Sequence, residues 1–208
     1  MKIKKIQLNS SIILILILLL SVFFRLPFFF EPLDSDEGTY AFFSFFSRGE
    51  KFYSSLPVGR LPGIIFIFRF IDSLFPGNII IFRIIPAILL FLSTFALYKL
   101  GKLFFDKRAG LISAFIFALV CASRTLEPRA NTEMFMMPFS VFSFYFFWKW
   151  VNDKTTILLI FSGFCAAIST LFKQVVVFEF LLIPFVIFYL DIIQKNDKNV
   201  IKIKSFLV

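Results

Sequence analysis

Histidine is absent from these 208 residues, which excludes a Ser-His-Asp triad, a His-ligated zinc site and an imidazole proton shuttle. Cysteine is nearly absent too. Cys121 and Cys165 both fall inside apolar runs, so they read as small core residues and not as a disulfide framework. Charged residues make up only 17% of the chain against 59% apolar, with 35 Phe. The mean hydropathy is +0.90, outside the composition of a water-soluble domain. The chain lacks ten-residue segments alternating polar and apolar, which argues against a membrane barrel. It also lacks a repeat of 20–50 residues, which argues against a solenoid. The net charge of +9 forms no patch interleaved with aromatics, so no nucleic-acid partner is expected.

What is present is a series of apolar runs between short charged islands. Each run is long enough, at about 1.5 Å per residue, to cross most of a hydrocarbon core of about 30 Å. The expected fold is an all-α integral membrane protein with about six spans, at about 11–30, 78–98, 109–124, 133–150, 155–172 and 175–190. The first run exceeds the h-region of a signal peptide, is followed by no small-residue cleavage site, and carries Arg25 and Pro27 near its far end. It therefore reads as an uncleaved anchor. Residues 31–77 hold two interrupted apolar clusters, around Ala41, Phe42, Phe45 and Phe46 and from Ile64 to Leu74, which fit amphipathic helices lying at the interface.

Orientation follows from Lys and Arg, which collect in cytoplasmic loops. With the N-terminus inside, the inner islands hold 13 Lys and Arg against 4 Asp, and the outer segments hold 9 of each sign. All of the net charge falls on one side. The expected topology is multi-pass in the cell membrane, with both ends cytoplasmic.

Three charged clusters then fall on the outer side. In DSDEGTY, Asp36 and Glu37 precede a Phe-rich helix, and Asp34, Ser35 or Asp36 could equally cap it. In RTLEPRANTE, Glu127, Arg129 and Glu133 sit in a short link that needs polar residues in any case. In LFKQVVVFE, Lys173 interrupts an apolar stretch: a turn accounts for it, yet a charge at membrane depth usually faces a cavity or a partner. Glu179 either snorkels to the surface or answers a cation.

The order FRLP, DEGTYA, RLPG, YKLGKLFFDKRAG, ANTEMFMMP and LFKQ, over roughly residues 20–185, resembles GT-C type membrane glycosyltransferases related to protein O-mannosyltransferases and to the lipid A aminoarabinose transferase. The resemblance implies one membrane-embedded glycosyltransferase domain, of which residues 1–208 would be the N-terminal part, since such enzymes continue for several more spans. It implies a polyprenyl-phosphate sugar donor, not a nucleotide sugar, and inverting transfer to an acceptor hydroxyl on a lipid, glycan or protein at the outer face. By motif position the catalytic carboxylate is Asp36, with Glu37 beside it. A carboxylate suits the task because the acceptor oxygen must lose its proton as it attacks. Cations must meet the charge growing on the phosphate leaving group, and Arg60, Arg129 and Lys173 are the candidates. Arg60 stands in Arg60-Leu61-Pro62-Gly63 where many relatives have Lys-Pro-Pro. Glu133 and Glu127 are candidates for placing the acceptor or an ion, and the requirement for a divalent metal stays open.

Two other classes compete. A transporter or lipid-flipping subunit would place charges or broken helices near the midplane of its spans, whereas these cluster at one interface. A structural membrane protein would not depend on Asp36.

Overall fold

The computed structural model describes residues 9–46, 59, 61–121 and 129–196, positions 190–196 by their helical backbone alone. Asn9 starts the first helix: its side chain accepts the Ser11 N–H at 3.2 Å, and α1 runs over Ser10–Phe23. It stops earlier than the apolar run because Arg25 and Pro27 intervene, and the backbone tightens into a 3-10 turn at Leu26–Phe28. Two shorter helices follow, α2 (Ser35–Phe46) and α3 (Pro62–Leu74). Proline is suited to the first turn of α3, where its missing N–H has no intrahelical acceptor to lose.

The remaining described chain is helical hairpins. They comprise α4 (Ile81–Phe104), α5 (Lys107–Cys121), α6 (Thr132–Asp153), α7 (Thr156–Phe172) and α8 (Val176–Asn196). Every one of the six expected apolar segments is a helix. Among the described residues two are long and apolar enough to cross a bilayer, Ser10–Phe28 and Ile81–Phe104; Thr156–Phe172 and Val176–Tyr189 are apolar but shorter. Tight links join the hairpins. Asp106 accepts the Ala109 N–H at 2.7 Å to open α5, and Lys154 turns α6 into α7 from a left-handed backbone at φ 55°.

Small residues let these helices approach. A Cβ built on Gly110 would lie 2.6 Å from the Tyr98 carbonyl oxygen, so the crossing of α5 on α4 requires glycine there. On α6 and α7, Ser143 donates to the Ser162 carbonyl and Ser162 donates to the Ser143 carbonyl, each at 2.9 Å. The α4–α5 and α6–α7 hairpins meet through α4 and α6, and α1 packs against α4 and α5.

The largest buried cluster joins Tyr40 of α2, Ile64, Phe68 and Ile71 of α3, Phe82 of α4, Phe135 of α6 and Phe172 of α7. It ties the two short helices to one end of the bundle. The Phe stripe of α2 faces outward: Glu37, Tyr40 and Ser44 are buried, while Phe42, Phe45 and Phe46 are exposed. Exposed Phe, Leu and Ile also cover α1, α5, α7 and α8, an apolar exterior that suits lipid and not water.

Candidate active site

The segment 31–37 is fixed by its own acids. Asp34 accepts the Glu37 N–H at 2.7 Å, and Glu37 accepts the Asp34 N–H at 3.1 Å. This is the reciprocal box that begins a helix when an acid follows a capping residue at the third position. Asp34 is therefore the cap.

Glu37 turns inward. It is 0% exposed, and its Oε1 accepts the Ala130 N–H at 2.6 Å and an N–H of the Arg83 guanidinium. The other end of that guanidinium donates to the Pro32 carbonyl at 2.7 Å and to the Glu31 carbonyl at 3.2 Å. Asp34 takes Arg129 at 2.5 Å through its second oxygen. Beneath this network Arg25, 1% exposed, reaches the Pro86 carbonyl at 3.5 Å and the Met134 sulfur at 3.9 Å.

Asp36, next along α2, lines a cleft of about 410 Å³. The opposite wall is built from two helix ends: Thr132 and Glu133 in the first turn of α6, and Phe172, Lys173 and Gln174 where α7 stops. Asn131 caps α6 by accepting the Met134 N–H at 3.1 Å, which holds Glu133 in the first turn. Lys173 has extended backbone (φ −150°, ψ 117°) at the end of α7, and its ammonium pairs with Glu133. Thr132 donates its hydroxyl to the other Glu133 oxygen at 2.9 Å. Tyr40, Gly59 and Leu61 complete the wall. Leu61 is held there because α3 packs directly on α7: a Cβ on Gly63 would sit 2.6 Å from the Leu171 carbonyl oxygen.

Of the residues expected from the sequence, Asp36, Glu133 and Lys173 share this cleft. Glu37 is buried behind the cleft wall, and Arg129 is engaged with Asp34. Arg60 and Glu127 lie outside the described residues. Among the described residues no three carboxylates or cysteines gather closely enough to hold a metal. Glu179 accepts the Ser140 hydroxyl at 3.0 Å, so among the described residues its partner is a hydroxyl and not a cation. Arg83 is one of the nine Lys and Arg of the outer segments. Its signal was position, a cation at the head of an apolar run, where burial requires a partner.

The cleft thus presents a half-buried carboxylate on one side and an ammonium-carboxylate pair on the other, with aromatic side chains between them. It can accept a proton from a hydroxyl and meet an anion within one small space. Residues 57–208 match the family model described as dolichyl-phosphate-mannose-protein mannosyltransferase, so Arg83, Glu133 and Lys173 fall inside the match and Asp36 lies ahead of it. No curated protein and no solved structure matches the chain.

Proposed function

The chain belongs to the dolichyl-phosphate-mannose-protein mannosyltransferase family, and from that premise we propose that it transfers a sugar from a polyprenyl-phosphate donor to an acceptor hydroxyl, with inversion, using Asp36 as the base. The observation that carries this reading is the common cleft of Asp36, Glu133 and Lys173. The acceptor oxygen attacks the anomeric carbon and passes its proton to the Asp36 carboxylate. The bond from that carbon to the phosphate oxygen breaks, and polyprenyl phosphate leaves with the electron pair. Lys173 meets the charge that grows on the leaving oxygen, where a fixed cation in a partly dry site lowers the barrier. Arg60 and Arg129 are the further candidates for the phosphate; Gly59 and Leu61, which flank Arg60 in sequence, line the cleft. Glu133 holds Lys173 until the donor arrives and then helps to place the acceptor, with Glu127 as the second candidate for that task.

In this reading the six apolar helices cross the cell membrane with both ends cytoplasmic, and α2 and α3 lie at the outer interface. Their exposed Phe side chains, Phe42, Phe45, Phe46, Phe66 and Phe70, enter the lipid beside the cleft, where a polyprenyl chain would approach. Acceptors named by the family description are proteins; lipid and glycan hydroxyls fit the same chemistry.

The test is donor class. The full-length protein in proteoliposomes is given a polyprenyl-phosphate sugar or the corresponding nucleotide sugar, and sugar transferred to the acceptor is followed together with release of polyprenyl phosphate or of the nucleotide. Turnover of the lipid-linked donor alone is expected; turnover of the nucleotide sugar alone would overturn the reading.

A further inference from the structure

We infer that the end of the bundle opposite the cleft holds the headgroup of an anionic phospholipid at the seam of α4 and α6, through Lys99, Lys102 and Lys149 with Tyr145 between them. The inference needs α4 and α6 to cross a bilayer, as proposed above, and is independent of the catalytic assignment. It starts from a difference between the two ends. At the cleft end Arg83, Arg129 and Lys173 are each paired with a carboxylate. At the other end the α4–α5 and α6–α7 links carry Lys99, Lys102, Lys107, Arg108, Lys149 and Lys154 against Asp106 and Asp153 alone. Among the described residues none of these six cations has a carboxylate partner. Asp106 is engaged instead as the cap of α5, accepting the Ala109 N–H at 2.7 Å. Cations collected at a helix end orient a span, and water satisfies those that extend from the protein. Lys99 does not extend.

Its Nζ is 5.7 Å from the centroid of the Tyr145 ring and 5.9 Å from that of Phe95, so two aromatic rings hold a half-buried ammonium at the seam. Nearer the end the seam is closed by Phe104 against Trp148, centroids 5.2 Å apart. Side chains three and four positions apart share a helix face. Lys102 follows Lys99 by three and Lys149 follows Tyr145 by four, so both fall beside that ammonium. The Tyr145 hydroxyl has no hydrogen-bond partner among the described residues. Three ammonium groups and one phenol thus converge without an acid, which suits a phosphate. A lipid, and not a soluble anion, is indicated by what adjoins them. Ile88 and Leu92, 53% and 37% exposed, lie on the same face of α4 as Phe95 and Lys99. From Lys99 to Ile88 is about 16 Å of helix, the depth of one leaflet in a hydrocarbon core of about 30 Å. An acyl chain along that stripe places its headgroup at Lys99, level with the tyrosine and tryptophan side chains that favour the headgroup boundary.

The experiment uses the full-length protein, purified in detergent and offered phosphatidylglycerol or phosphatidylcholine with the same acyl chains; native mass spectrometry reads the lipid retained. The expected result is a preference for phosphatidylglycerol of about ten- to a hundredfold, the scale of two or three basic side chains near an anionic headgroup. A folded variant combining Lys99→Gln, Lys102→Gln and Lys149→Gln should lose the preference. Lys107→Gln with Arg108→Gln, at the same end but in the first turn of α5, should keep it. If the triple variant does not fold, Lys102→Gln alone, at an exposed position, decides: the preference should fall about two- to fivefold. Equal retention of the two lipids by wild type, or an unchanged preference in a folded variant of these lysines, overturns the inference. So does an equal loss in the Lys107 and Arg108 variant, which would reduce the site to diffuse charge. Displacement of phosphatidylglycerol by inorganic phosphate overturns it too, since the ligand would then be a soluble anion.

Discussion

Lys173, at the end of α7, is ion-paired with Glu133 in the first turn of α6, and both face the cleft that Asp36 lines. The pair is about two-fifths exposed on each side, 39% and 42%, so it is weak, on the order of 0.2–1 kcal/mol. On the proposed reading, a phosphate entering the cleft competes with Glu133 for Lys173. Removing Glu133 should therefore free the ammonium. For Glu133→Gln, polyprenyl phosphate should bind about two- to fivefold more tightly, read as a lower product-inhibition constant. Lys173→Met should weaken the same binding. If Glu133→Gln weakened it as much as Lys173→Met, the two residues would be joint ligands and not competitors.

Gly63 supplies a second prediction. A methyl there would meet the Leu171 carbonyl oxygen at 2.6 Å, a backbone atom that cannot swing aside. Gly63→Ala should cost about 1–3 kcal/mol by overpacking and lift α3 from the helix end that carries Lys173, so donor KM should rise with the loss of stability. Gly38 is the contrast. Among the described residues nothing lies within 4 Å of its Cβ position, and Gly38→Ala in α2 should stabilise by about 0.5–1 kcal/mol through helix propensity. Unfolding of the purified protein in detergent measures both, and equal destabilisation by the two substitutions would contradict the packing described.

The serine pair between α6 and α7 gives a third. Ser143 and Ser162 each donate to the other's carbonyl at 2.9 Å, so either alanine variant leaves one of the two bonds in place. Each single substitution should cost about 0.6 kcal/mol, the scale of hydrogen bonds between membrane helices. The double variant should cost more than either single one but depart from their sum, because the two hydroxyls also lie 3.3 Å apart in one network. A double variant as stable as wild type would show that packing alone holds the hairpin.

The helices were legible because an apolar run between charges leaves the backbone little alternative, and each of the six runs folded as a helix. Their ends were less so. α4 continues to Phe104, past the expected 98, since Lys99 and Lys102 suit the last turns of a helix. The division of labour among Asp34, Asp36 and Glu37 was not legible. Spacing allowed Asp34, Ser35 or Asp36 to be the cap, and adjacency suggested that Asp36 and Glu37 share one task. Only the rotation of α2, set by the bonds of Glu37 to Arg83 and Ala130, separates them. Those partners lie 46 and 93 positions away, and no local pattern announces contacts of that kind. Lys173 and Glu133 were each legible as polar groups at helix ends, whereas their pairing depends on how α6 and α7 pack.

The most direct measurement is the effect of Asp36→Asn in the full-length protein on sugar transfer and on donor binding, taken together. Asparagine keeps the size and one acceptor oxygen of the side chain and removes the basicity, so loss of a base should cost about a hundred- to ten-thousandfold in kcat. Binding of the polyprenyl-phosphate donor and insertion into the membrane should stay as they are in wild type. Transfer at the wild-type rate by a folded Asp36→Asn protein would contradict the account.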